Sequence, residues 1–273
     1  MASIATARGR IGYIEEAPGS RPSPKRSDQD VGEPEPPIIF LHGVGSDKSV
    51  WKPQLEHFGR TRRALAFDYP GYGESEFREG ATRRDFAWAI LAAMDAMEIE
   101  RAHVCGLSLG GVIAIAMHAA APERCASLII ADSFAVHPDG QAIYDRSVAA
   151  SQAMTMRELA EARTGILLGS AATPELRAEV IDVMAAIDPA AYRVGAAAVW
   201  LADQRDGASQ VDVPTLILVG DEDGITPPSL SEELKHLIPG SQLNMIGKAG
   251  HLANAEQPGA FNRAIESFLS QQR

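Results

Sequence analysis

Five residues constrain this chain more than any others: Gly106-Leu107-Ser108-Leu109-Gly110. An apolar run at 102–105 precedes them, and a long apolar stretch rich in Ala, Ile and Met follows at 112–120. Gly-x-Ser-x-Gly between a strand and a helix demands a sharp, strained turn, and the flanking glycines are the residues that let the backbone double back. Such a turn lifts the Ser108 hydroxyl clear of the strand end. It also aims the Leu109 N–H, at the start of a helix, toward any negative charge that develops above the serine. An ordinary tight turn with a surface serine would not require strand, turn and helix to coincide in this way.

The rest of the chain supplies the layers that such a turn needs. Residues 2–16 alternate apolar and polar around Gly9, which predicts a hairpin. Residues 17–37 carry six prolines among Ser, Arg, Asp and Glu, which predicts a flexible surface loop. The continuous apolar runs at 38–41 and 64–67 fit strands buried on both faces, and further strands are expected at 102–105, 127–131, 215–219 and 242–246. Helices are expected over 51–58, from the Thr82/Asp85 capping box to about Met97, and over 109–120, 229–237 and 258–270. This alternation predicts a mostly parallel sheet covered by helices on both sides. Between 134 and 209 the pattern changes to short helical segments broken at Thr173-Pro174, Asp188-Pro189 and Asp206-Gly207. Residues 1–133 and 210–273 are therefore read as an α/β core and 134–209 as an inserted helical cap.

Composition narrows the function classes. At 273 residues the chain can build one large core. A net charge of −11 argues against nucleic acid or an anionic membrane as partner. The two cysteines, Cys105 and Cys125, make no disulfide framework, and Cys105 reads as a small buried hydrophobe. Neither a signal-type apolar segment nor a membrane-length apolar run is present, so the expectation is a cytoplasmic enzyme acting on a small molecule.

A serine hydroxyl needs an adjacent base to attack at neutral pH. Of seven histidines, His251 stands in a loop just after the last strand, where sheet carboxyl ends meet and a loop can reach the serine. His42 opens a glycine loop and reads as structural, His118 as a core residue on the nucleophile helix, and His57, His137 and His236 as superficial. The partner of the imidazole is expected to be Asp223, after the strand at 215–219, with Asp132, after the strand at 127–131, as the competitor. Asp221 is expected to fix the turn. The second oxyanion donor is expected from the glycine loop at 42–46, most simply the Val44 N–H, alongside that of Leu109. The order Ser108, Asp223, His251 is the serine–acid–histidine order of one hydrolase fold.

These residues resemble the α/β-hydrolase superfamily over nearly the whole chain. The resemblance rests on His42-Gly43-Val44-Gly45 with Trp51 and Gln54, the 68–75 stretch DYPGYGES, the elbow, 220–227 and Ala249-Gly250-His251. Within the superfamily the chain looks most like the 3-oxoadipate enol-lactonase and small carboxylesterase branch. That resemblance implies an α/β-hydrolase fold, no metal and no organic cofactor, and hydrolysis of a small ester or lactone through an acyl-enzyme. Two alternatives stay open: a C–C bond hydrolase of a meta-cleavage-type diketone, against which Leu107 stands where such enzymes commonly carry Asn, and a slow-turnover ligand-sensing protein. In the inserted segment, Met154, Met156, Ile166, Leu167, Leu168, Met184, Val199, Trp200 and Leu201 are candidates to roof a pocket, with Trp200 chosen as the substrate-binding residue. The arginines there, Arg146, Arg157, Arg163, Arg193 and Arg205 among them, are expected on solvated helix faces, which favours a neutral substrate.

Overall fold

The computed structural model describes residues 2–19 and 35–272, so most of the proline-rich 17–37 loop expected from the sequence lies outside the described residues. Eight strands form one sheet: β1 (Ala2–Thr6), β2 (Gly9–Glu16), β3 (Ile38–Leu41), β4 (Ala64–Phe67), β5 (Ala102–Leu107), β6 (Cys125–Ala131), β7 (Thr215–Gly220) and β8 (Gln242–Ile246). Their order is β1-β2-β4-β3-β5-β6-β7-β8. The β1–β2 hairpin joins antiparallel at one edge, and β4 through β8 pair in parallel.

Eleven helices are described: α1 (Lys52–Phe58), α2 (Arg83–Ala96), α3 (Leu109–Ala120), α4 (Gly140–Ala153), α5 (Met156–Leu167), α6 (Pro174–Ala185), α7 (Pro189–Trp200), α8 (Arg205–Ser209), α9 (Pro228–Leu237), α10 (Ala253–Glu256) and α11 (Pro258–Ser270). Because side chains alternate along a strand, each apolar run feeds two cores. Ile39, Leu41, Leu128 and Ile130 pack with α2, α3 and α9. Ile38, Phe40, Ile129 and Ala131 pack with α1 and α11 on the other face. Runs with no polar alternation are what a sheet covered on both sides requires.

Helices α4 to α8 all lie between β6 and β7. Thr173-Pro174 and Asp188-Pro189 are breaks because they start helices: Thr173 and Asp188 cap the exposed amides of α6 and α7, and each proline takes the first helical position. Asp206-Gly207, expected as a break, instead lies inside α8, and the other differences from the sequence expectations are small. β5 runs on to Leu107 because its register with β6 continues through Gly106 and Leu107, and a 3-10 turn at Lys48–Trp51 precedes α1. The short helix α10 was not expected from the sequence.

Candidate active site

Ser108 sits between β5 and α3 with φ 55° and ψ −114°, a strained backbone for a residue with a side chain. The flanking glycines are required. A Cβ on Gly106 would lie 2.1 Å from the Gly110 carbonyl oxygen, and one on Gly110 would lie 2.0 Å from that of Leu41. The strain is held by bonds on both sides of the residue: Ser108 N–H donates to Ala131 O at 2.9 Å, and Ser133 Oγ donates to Ser108 O at 2.8 Å.

The loop after β3 has its carbonyls turned away from the serine. Tyr69 Oη donates to His42 O at 3.2 Å, and Tyr72 Oη donates to Val44 O at 3.1 Å. Gly43 O accepts from Ser46 N–H at 3.2 Å and lies 2.8 Å from His42 Nδ1. In a trans peptide the N–H points opposite to the C=O, so anchoring Gly43 O directs the Val44 N–H the other way. Gly43 lies against the serine, its would-be Cβ 3.9 Å from Ser108 Oγ. Beneath the loop, buried Lys48 pairs through Nζ with Asp68 Oδ2 at 2.5 Å and also with Glu74, and its backbone N–H donates to Asp68 Oδ1 at 2.9 Å. His42 is fully buried and its pKa is lowered by burial, which suits the structural part read from the sequence.

Asp223 and His251 meet at the far side. His251 Nδ1 lies 2.9 Å from Asp223 Oδ2, and both side chains are buried. Asp223 Oδ1 accepts from the N–H groups of Ile225 (2.8 Å) and Thr226 (3.0 Å), and Thr226 Oγ1 donates to Oδ2 at 2.6 Å. Burial alone would raise this carboxyl, but the His251 partner and the Thr226 bonds outweigh it and hold its pKa below the usual value. With Nδ1 engaged as donor, Nε2 is the nitrogen left to accept a proton.

Asp132 is different. Its Oδ1 accepts from Gly220 N–H at 2.8 Å, and its Oδ2 has no protein partner. Burial first, and the charge of Asp223 next, push its pKa well above the usual carboxylate range. Asp132 thus braces the start of the Asp223 loop through the Gly220 N–H. Asp221 reaches across to the histidine loop, accepting from Ala249 N–H at 3.3 Å. Of the other histidines, His118 pairs with Asp212 at 3.0 Å, and His103 with Ser127 Oγ at 2.8 Å. His137, expected to be superficial, is half-buried, edge-on against Trp200 with its Nε2 3.3 Å from Ile225 O.

Ser108 and His251 line one cavity of about 270 Å³ together with Val44. The inserted helices supply its other wall, including Arg163, Leu167, Met184, Tyr192 and Trp200. Of the candidates for a roof, only Leu167, Met184 and Trp200 reach it. Met154, Ile166 and Leu201 are exposed, while Met156, Leu168 and Val199 are buried in packing. Arg163 departs from the expectation that the arginines of the insertion are solvated: one turn before Leu167 on α5, it shares the cavity face, and its Nη1 donates to Tyr192 Oη at 3.1 Å. Among the described residues no group of three or more His, Cys, Asp or Glu side chains is arranged to hold a metal ion, and no helix is long and apolar enough to cross a membrane.

Residues 36–258 match the family described as the alpha/beta hydrolase fold. The chain belongs to that family. Among its relatives, 3-oxoadipate enol-lactonase 1 of Acinetobacter baylyi is 28% identical over 86% of this chain and 88% of its own length. A 2-hydroxy-6-oxo-2,4-heptadienoate hydrolase of Pseudomonas putida is 26% identical over 88% and 91%. Among solved structures, the enol-lactonase from Burkholderia xenovorans LB400 superposes with a TM-score of 0.87 at 25% identity, covering 98% of this chain and all of that one. The alpha/beta hydrolase members most similar in sequence thus include enol-lactonases, as the motifs implied.

Proposed function

We propose that the protein is a serine hydrolase of small carboxylic esters or lactones, with Ser108 as nucleophile, His251 as base and Asp223 as its orienting acid. The observation that carries this reading is the 2.9 Å His251–Asp223 contact, with His251 lining the same cavity as Ser108 of the strained turn. His251 Nε2 takes the Ser108 proton as Oγ attacks the acyl carbon, and Asp223 stabilises the resulting imidazolium. The N–H groups of Val44 and Leu109 bind the tetrahedral oxyanion. Collapse expels the alkoxide, which receives the proton from His251, leaving an acyl-serine. His251 then deprotonates water, and a second tetrahedral intermediate breaks down to the acid and free Ser108.

The helical insertion acts as a cap over the acyl site, with Trp200 forming part of its wall. A second reading of the substrate is favoured by Arg163. A guanidinium half-buried on the cavity wall suits an acyl group that bears a carboxylate, as an enol-lactone acid does. Rates on matched neutral and carboxylate-bearing lactones, an acetyl ester and a meta-cleavage diketone test both readings. Turnover of esters and lactones is expected, and Arg163→Ala should remove any preference for the carboxylate. A burst followed by near-silence on every substrate would replace the enzyme with a sensor, and selective turnover of the diketone would replace ester chemistry with C–C cleavage.

A further inference from the structure

The segment between α5 and α6 touches neither of the residues that would do chemistry through its side chains, yet it is bonded to both loops that carry them. Leu167 O accepts from His251 N–H at 2.8 Å. Gly169 N–H donates to Glu256 Oε2 at 2.7 Å, while Glu256 Oε1 accepts from Gly250 N–H at 2.9 Å and Leu252 N–H at 3.3 Å. Three consecutive amides, those of 250, 251 and 252, are therefore held by segment 167–170 or by the carboxylate that also grips it. One residue further on, Ser170 donates from N–H (2.6 Å) and Oγ (2.9 Å) to Glu222, the neighbour of Asp223. Glu222 N–H in turn donates to Ala249 O at 2.9 Å, and Arg177 Nη2 donates to Gly169 O at 3.1 Å.

We infer that Glu256 and Glu222 are positioning residues that seat the insertion on the two loops and so fix the His251 ring relative to Ser108, a role that rests on the triad reading above. One carboxylate comes from the Asp223 loop and the other from α10, which follows the histidine loop, and each grips an adjacent residue of one short segment. A carboxylate suits the task because its two oxygens accept from several N–H donors at once, whereas an amide must turn a donor toward one of them. Burial raises the Glu256 pKa against the backbone bonds that favour its charged form. The approach is also close. A Cβ on Gly169 would lie 2.8 Å from Gly250 N and 3.0 Å from Glu222 Oε2, so only glycine lets the segment sit this near the histidine loop.

The test is the rate at which a fluorophosphonate labels Ser108, which reads nucleophile activation without depending on the acyl substrate. Glu256→Gln and Gly169→Ala are compared with wild type well below their melting temperatures, separating the inactivation rate constant from the inhibitor's affinity. Both variants are expected to lower the rate constant about tenfold or more with little change in affinity, since small misplacements of a catalytic group cost this much. The double variant should lose little beyond either single one, because both break the same contact. If Glu256→Gln fails to fold, Gly169→Ala carries the test, since it leaves both carboxylates in place. Labelling of the folded variants at the wild-type rate, or a loss that only follows the folded fraction, overturns the positioning role. Absence of labelling in the wild type instead removes the triad reading, and the positioning role falls with it.

Discussion

Two buried aspartates stand after neighbouring strands, and their surroundings shift their pKa values in opposite directions. Asp223 has four donors and a depressed pKa, whereas Asp132 has one carboxyl oxygen without a protein partner and a raised pKa. A carboxylate that must stabilise an imidazolium has to be ionised, which the depressed pKa of Asp223 favours and the raised pKa of Asp132 opposes. Asp223→Asn is expected to lower kcat by about 10³–10⁴, and Asp132→Asn to be mild. Ser108→Ala should lower kcat by about 10⁵–10⁶ while the fold persists. Steady-state kinetics on one ester, with circular dichroism as the control for folding, measure all three. An inverted order of the two aspartates would move the acid to Asp132, and ester turnover by the Ser108 variant near the wild-type rate would remove the mechanism.

At the scale of elements, the glycine loop after β3 shows how rigid secondary structure is extended into a loop. Its carbonyls are held by two tyrosine hydroxyls from the loop after β4, which itself is pinned by the buried Lys48–Asp68 pair. Tyr72→Phe deletes only the bond to Val44 O, and the loop loses one restraint on the donor it presents. The expected result is a fall in kcat of about tenfold with KM nearly unchanged, since the interaction is made to the transition state. A rise in KM at constant kcat would place Tyr72 in substrate binding instead. The strands, the elbow and the positions of Asp223 and His251 were legible in the sequence because each is a local signal: an apolar run, or a motif tied to a strand end. Lys48, Glu256 and the two tyrosines were not, because their meaning lies in partners far along the chain, such as Gly169 for Glu256. Arg163 could not be separated from the other arginines of the insertion until the helix face it occupies was known.

For the whole molecule, the aspartate pair predicts how stability changes with pH. An unfolded Asp titrates near about 3.9. Asp223, with its folded pKa depressed, contributes stability that is present above that value and lost as pH falls through the folded pKa. Asp132, with its folded pKa raised, does the reverse: its contribution is complete below about 3.9 and is lost as pH rises toward the folded pKa, because unfolding then releases a proton. One proton released corresponds to a slope of about −1.4 kcal/mol per pH unit. Asp132→Asn keeps an acceptor for Gly220 N–H and removes the titration, so its unfolding free energy relative to wild type should grow steadily from about pH 4 upward. Asp223→Asn takes away the neighbouring charge that helps raise Asp132, so wild type's decline should end at lower pH in that variant. Urea unfolding of the three proteins over a pH series reads both effects. Parallel curves for wild type and Asp132→Asn across that range would show that Asp132 is ionised in the folded protein, and the division of labour between the two aspartates would have to be redrawn.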